Sequence, residues 1–213
     1  CRKLIVNGLY ASGSTLIFNV LRALRTLSNH QSYFDTMRYG SGYKDAMTDN
    51  NCPCTVVTFR DFRDSLCSHA KRKGNCMDCE GGSPRMDSAG KKLYASMYND
   101  QKWHLELDKF LSKKTLLLRY EDFNGPCLPT AIARLADVLG VPVTAEEIDG
   151  IVQAVDERAK LAMKELAKKV KSGAMKVTDK GMAEFGAYDQ YSQIHANHGA
   201  NNGATGVWKQ CFS

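Results

Sequence analysis

Residues 3–24, KLIVNGLYASGSTLIFNVLRAL, constrain the fold of this chain more than any other stretch. Lys3-Leu4-Ile5-Val6 is the apolar run of a buried parallel strand, and Asn7-Gly8 ends it. Ser12-Gly13-Ser14-Thr15 makes a tight turn of small residues, after which Leu16, Ile17, Val20, Leu21 and Leu24 recur at helical spacing. A strand, a small-residue turn and a helix together offer backbone N–H groups to an anion. The first amides of a helix have no partner inside it, and the helix dipole favours negative charge there. Glycine lets the backbone come close, and Ser14 and Thr15 add hydroxyl donors. The same pattern also serves as an ordinary β-to-α turn. It is not the standard nucleoside-triphosphate loop, because the G-x-x-x-x-G-K-S/T spacing is missing and no Lys precedes Ser14.

Further strands follow at intervals suited to intervening helices. Residues 33–39 are rich in aromatics and read as a second strand. Cys54 to Phe59 is a β-branched run and ends at Arg60-Asp61-Phe62-Arg63-Asp64, where Asp61 or Asp64 can cap the next helix. Residues 75–90 form a long loop, and residues 91–111 read as a helix. Thr115 to Tyr120 is another strand, closing on Glu121-Asp122. Leu128 to Leu139 is a helix ended by Gly140. Thr144-Ala145-Glu146-Glu147 is a capping box that opens a helix reaching about Val170, whose Lys-rich end is a solvated face. Residues 172–202 are loop-rich. Strands alternating with helices imply an α/β layer fold with a mainly parallel central sheet. Ligands of such sheets sit beyond the carboxyl ends of the strands, so residues 12–15, Arg38, 60–64 and 120–122 are expected to converge.

The 213 residues suit a single domain, 1–213, without internal repeats. No apolar run reaches the roughly 20 residues of a membrane helix. The sequence begins directly at the first strand, which is compatible with a trimmed leader, and a cytoplasmic protein is expected. A net charge of +6 suits an anionic ligand. No basic stripe interleaved with aromatics marks a nucleic-acid surface. Of eight cysteines, Cys67 and Cys127 lie in apolar surroundings and read as small core residues. Cys52-Pro-Cys54 and Cys76-Met-Asp-Cys79 fit a zinc site, disulfides or exposed thiol pairs.

Four segments, in order, resemble the PAPS-dependent sulfotransferases. Tyr10-Ala11-Ser12-Gly13-Ser14-Thr15 is similar to the family's 5′-phosphosulfate loop, Pro-Lys/Arg-Ser-Gly-Ser/Thr-Thr. Arg60-Asp61-Phe62-Arg63-Asp64, with Ser68 eight residues past Arg60, is similar to the strand-end signature Arg-Asn/Asp-Pro-Arg-Asp. Tyr120-Glu121-Asp122 matches a strand-end Tyr-Glu-Asp, and residues 201–210, NNGATGVWKQ, answer the closing R-K-G-x-x-G-x-W-K-N. Together they span nearly the whole chain.

The resemblance implies a P-loop-like three-layer sandwich and a divergent sulfotransferase. Such an enzyme moves a sulfuryl group from 3′-phosphoadenosine 5′-phosphosulfate (PAPS) to a hydroxyl or amine of a small-molecule acceptor and releases adenosine 3′,5′-bisphosphate, without a metal. The loop Ser12, Gly13, Ser14 and Thr15 would hold the 5′-phosphosulfate, and Arg60 and Ser68 the 3′-phosphate. Tyr120 would meet the adenine, and Asn201, Asn202 and Gly203 would close over the 3′-phosphate.

This chain departs from the family at several places. The loop cation is Ala11, the closing Arg-Lys is Asn201-Asn202, and the Trp that often follows the loop is Leu16. The family's His base is absent from the segment some twenty residues before Arg60, where Asp35 and Arg38 stand instead. Asp35 is the nearest candidate base, and Arg38 can replace the missing cation at the sulfuryl group; His30, His104, His195 and His198 are alternatives delivered by folding. The rival functions are a nucleotide-binding protein of the same fold with lost or weak catalysis, and a P-loop kinase-like phosphotransferase.

Overall fold

The computed structural model describes residues 3–8, 11–27, 35–38, 54–65, 68, 95, 115–175, 189, 191–194 and 205–206. The two CxC and CxxC thiol pairs, Cys67, the loop over 75–90, the four candidate histidines and Asn201 to Gly203 lie outside these residues or have undescribed side chains. Of the helix expected over 91–111, residue 95 is described and is helical. The chain divides into two compact units, residues 1–60 with 102–157 and residues 61–101 with 158–213.

The first unit is built on a four-stranded sheet. Its strands are β1 (Lys3–Gly8), β2 (Asp35–Arg38), β3 (Cys54–Phe59) and β4 (Thr115–Arg119). Their order across the sheet is β2-β1-β3-β4, and every described pairing is parallel. The four expected strands are therefore present, and Tyr120 falls just past β4 in a 3-10 turn, Tyr120–Asp122. The side-chain period of two sorts each strand onto two faces. Leu4, Val6, Val56 and Leu118 share one face and are buried. Val57, on the opposite face of β3, is buried as well, so that strand is covered on both sides, as its near-continuous apolar run requires.

Three helices are described at length: α1 (Ser14–Leu27), α2 (Leu128–Leu139) and α3 (Ala145–Lys171). Their apolar stripes meet the first sheet face in one core. Ile17, Val20, Leu21 and Leu24 of α1 join Ile132 and Leu135 of α2, Ile151 and Val155 of α3, and Phe123. Each fully buried Leu or Ile contributes about 2 kcal/mol in transfer free energy. α2 ends where expected: the Gly140 N–H bonds the Asp137 carbonyl at 3.0 Å and the Val141 N–H bonds the Ala136 carbonyl at 2.9 Å, which seats Val141 in the core.

Cys127 corrects an expectation. It is exposed, because it closes the 3-10 turn Gly125–Cys127 and Leu128 takes the inward position at the start of α2.

In the second unit, residues 62–65 and 68 are helical. Asp61 caps them: its Oδ1 accepts the Arg63 N–H at 2.9 Å. The Arg63 guanidinium grips the same carboxylate, Nε to Oδ1 at 3.0 Å and Nη2 to Oδ2 at 2.6 Å. Asp64 is buried, and its Oδ2 accepts the Gly206 N–H at 2.7 Å. The second half of α3 buries Ala162 and Leu166, while Arg158 bonds Asp189 at 3.2 Å and lies 4.5 Å above the exposed Tyr191 ring.

Candidate functional site

The carboxyl ends of β1, β3 and β4 bring three of the expected segments of the first unit together. β1 and β3 pair in register from Leu4↔Cys54 to Gly8↔Thr58. The loop after β1 and the residue after β3 therefore emerge side by side. The Ser12 hydroxyl lies 2.7 Å from Thr58 Oγ1 and 3.1 Å from the Thr58 carbonyl. Ser12 is fully buried, so this hydroxyl fastens the loop to β3. A side chain at Gly8 would collide with Thr58 Oγ1 and Ser12 Oγ, so only glycine permits this close approach.

Gly13 completes the bend. Its φ is +80°, and a Cβ there would come within 2.7 Å of Phe123 Cε2 and 2.8 Å of Tyr120 Cδ2. Its carbonyl accepts the first bond of α1, from the Ile17 N–H at 3.1 Å. Residues 14–16 thus form the opening turn of α1, the part of a helix whose dipole favours an anion. Ser14 and Thr15 are themselves buried. Asn19 reaches back to the Thr15 carbonyl at 2.8 Å and stiffens this first turn.

Arg60 follows β3 directly. It is only 6% exposed, and its Nη1 donates to the Ala11 carbonyl at 3.2 Å. Its Cζ lies 4.3 Å above the Tyr120 ring, a cation–π distance. Tyr120 in turn meets Phe123 edge-on, centroids 5.5 Å apart at 81°. The ring expected against an adenine is 7% exposed and is enclosed by Gly13, Phe123 and Arg60. Ala11 has φ +58°, a left-handed conformation uncommon for a residue with a Cβ. Strain of this kind costs about 1–3 kcal/mol and persists only where neighbours hold it.

The strand register positions Arg38 and Asp35. In β2, Arg38 pairs with Val6, two residues short of Gly8 on the loop side of the sheet. Asp35 pairs with Lys3 at the opposite end. Five residues of strand rise separate the level of Lys3 from that of Gly8, roughly 16 Å. The sheet therefore brings Arg38, and not Asp35, to the edge where the loop leaves. Ser68 is helical and half-buried in the second unit. Among the described residues no group of three or more His, Cys, Asp or Glu is arranged to hold a metal ion.

Thr58, Gly8 and Phe123 shape the loop and were not expected to. Gly8 and Thr58 are juxtaposed by the register between two strands far apart in sequence, and a single sequence does not state that register.

No protein-family model matches the sequence, and no curated protein matches it. Among solved structures, the chain is similar to retinol dehydratase in complex with androsterone and the inactive cofactor PAP. The likeness covers 100% of this chain and 76% of that one, with a TM-score of 0.57 and 15% sequence identity. At that identity it is a likeness of fold. Among the described residues no helix is long and apolar enough to cross a membrane.

Proposed function

We propose that this protein is a PAPS-dependent sulfotransferase acting on a hydroxyl or amine of a small-molecule acceptor. The observation that carries the reading is the bond from Arg60 to the Ala11 carbonyl. It joins a buried guanidinium to the loop that opens α1, across 49 residues of sequence. A helix N-terminus and a fixed guanidinium at one sheet edge suit a phosphorylated adenosine, because each presents N–H donors with positive charge. The PAP-bound neighbour of similar fold supports the same ligand. We read the fold as a P-loop-like three-layer sandwich and residues 1–213 as one sulfotransferase-like domain; the burial of Val57 outside the described core supports a second covering layer.

In this reading Gly13, Ser14 and Thr15 hold the 5′-phosphosulfate through their backbone amides, and the Ser12 hydroxyl keeps the loop in place. Arg60 binds nucleotide phosphate. Ser68 and Asn201 to Gly203 serve the 3′-phosphate, as the resemblance implies. In the transfer, the acceptor oxygen or nitrogen forms a bond to sulfur as the bond from sulfur to the bridging oxygen breaks. The electron pair stays on the 5′-phosphate, and the acceptor's proton is released to solvent. Arg38, at the loop side of β2, is the cation proposed to serve the sulfuryl group. Fixed charge at such a developing anion is worth about 3 kcal/mol of barrier.

The test is calorimetry with adenosine 3′,5′-bisphosphate, followed by transfer of labelled sulfate from PAPS to phenols, alcohols, sugars and amines. Binding with transfer to one acceptor class is the expected result. No heat at about millimolar ligand counts against the reading, as does unchanged affinity in Arg60→Ala. Binding without transfer to any class supports a second reading, a nucleotide-binding protein without turnover. That reading is favoured by Asp35 standing at the far end of β2 from the loop.

A further inference from the structure

The strand-end motif implies that Arg60 grips the 3′-phosphate, yet its side chain is turned onto the loop. We infer that Arg60 serves the 5′ end of the nucleotide, holding the Ala11–Thr15 bend and supplying the positive charge that Ala11 lacks. This rests on the sulfotransferase reading above and specifies which end of the nucleotide the guanidinium meets.

Three observations carry it. The Nη1 donor is bonded to the Ala11 carbonyl, one residue before the Ser12-Gly13 bend, at 3.2 Å. The guanidinium plane is fixed from beneath by the Tyr120 ring at 4.3 Å, and that ring also packs where a Gly13 side chain would be. Ala11 holds φ +58°, a conformation that needs an external constraint, and the Arg60 bond to its carbonyl is such a constraint. Arg60 and the bend are thus one rigid assembly. A guanidinium has five N–H donors in a fixed fork. With Nη1 directed to the Ala11 carbonyl, the charge is held at the start of the bend.

The chemistry suits the placement. When the sulfuryl group leaves, the bridging oxygen of the 5′-phosphate gains negative charge. A preorganised cation beside that oxygen stabilises it without moving. The loop alone offers amide dipoles and no charged side chain between Ala11 and Leu16.

Calorimetry on wild type, Arg60→Gln and Arg60→Lys separates the two placements. The ligands are adenosine 3′,5′-bisphosphate, adenosine 5′-monophosphate and adenosine 3′-monophosphate. For Arg60→Gln we expect the two 5′-phosphorylated ligands to lose affinity by the same factor, roughly 10- to 100-fold. The 3′-monophosphate keeps its affinity. Arg60→Lys retains the charge but not the fork, so it shows the same pattern with a smaller loss and serves where Arg60→Gln does not fold. The inference is overturned if the 5′-monophosphate binds the variants as it binds wild type while the bisphosphate weakens. It is equally overturned if all three ligands weaken alike, which marks a purely structural arginine. Wild-type protein that binds none of the three overturns the sulfotransferase reading itself, an outcome visible before any variant is made.

Discussion

Gly8 shows how a single hydrogen atom in place of a side chain sets the position of a loop. Its Cα faces Thr58 across the β1–β3 ladder, and a methyl group there would overlap Thr58 Oγ1 and Ser12 Oγ. The atoms in the way belong to a backbone-bonded pair, so they do not simply swing aside. Gly8→Ala should therefore lower stability by about 1–3 kcal/mol, the range for overpacking a tight site. Thr58→Ala should cost about 1–2 kcal/mol, since the buried Ser12 hydroxyl loses one partner. The two effects should not add: removing Thr58 Oγ1 clears part of the space that the methyl introduced by Gly8→Ala would need. Urea denaturation of both single variants and the double variant measures this coupling. A double variant whose loss equals the sum of the single losses would show that Gly8 acts elsewhere than against Thr58.

Among the elements, those with local signals were legible and those defined by partners were not. The Thr144 to Glu147 box is the clearest case. The Glu147 N–H donates to Thr144 Oγ1 at 3.2 Å and the Thr144 N–H donates to Glu147 Oε2 at 2.7 Å, so α3 starts at Ala145. The α2 end at Gly140 and the strand Cys54–Phe59 were legible for the same reason, because cap chemistry and β-branched runs are local. Asp35 was not. Counting back from Arg60 along the chain says nothing about strand direction or register, and the parallel pairing with Lys3 carries it to the opposite end of the sheet. Tyr120 was half legible: it stands at the end of β4, but its ring is turned under Arg60. Cys127 was not legible, because its apolar neighbours in sequence are not its neighbours in space, and it is exposed. The local rule makes its own prediction. Thr144→Ala should lower stability by about 0.5–2 kcal/mol, and Thr144→Ser should leave it nearly unchanged, both measured by the denaturant midpoint. Equal losses in the two variants would mean that the hydroxyl is not the cap.

For the molecule as a whole, folding stability should depend on pH through carboxylates held in their charged form. The Arg63 side-chain hydrogen bond holds the Asp61 carboxyl below its ordinary value, against a smaller opposing effect of burial. Glu146 is lowered by its own backbone N–H and by the Thr144 hydroxyl, and Glu165 by its bond to Lys168. All three shifts are downward, so near these pKa values the unfolded chain binds more protons than the folded one, and stability falls as pH falls. The contribution is complete above the unfolded carboxylate value of about 4 and is lost as pH drops through the lowered folded values. Glu146 and Glu165 are exposed and screened by solvent, so of the three Asp61, with its bidentate arginine and its cap, should contribute most. Asp61→Asn tests this cleanly, because asparagine remains a good N-cap and only the charge is removed. At neutral pH the variant should have the lower urea midpoint. As pH falls below about 4, wild type should lose stability faster, and the two curves should converge once Asp61 is protonated. A gap that stays constant down to about pH 2 would show that the paired charge is not the source of the difference.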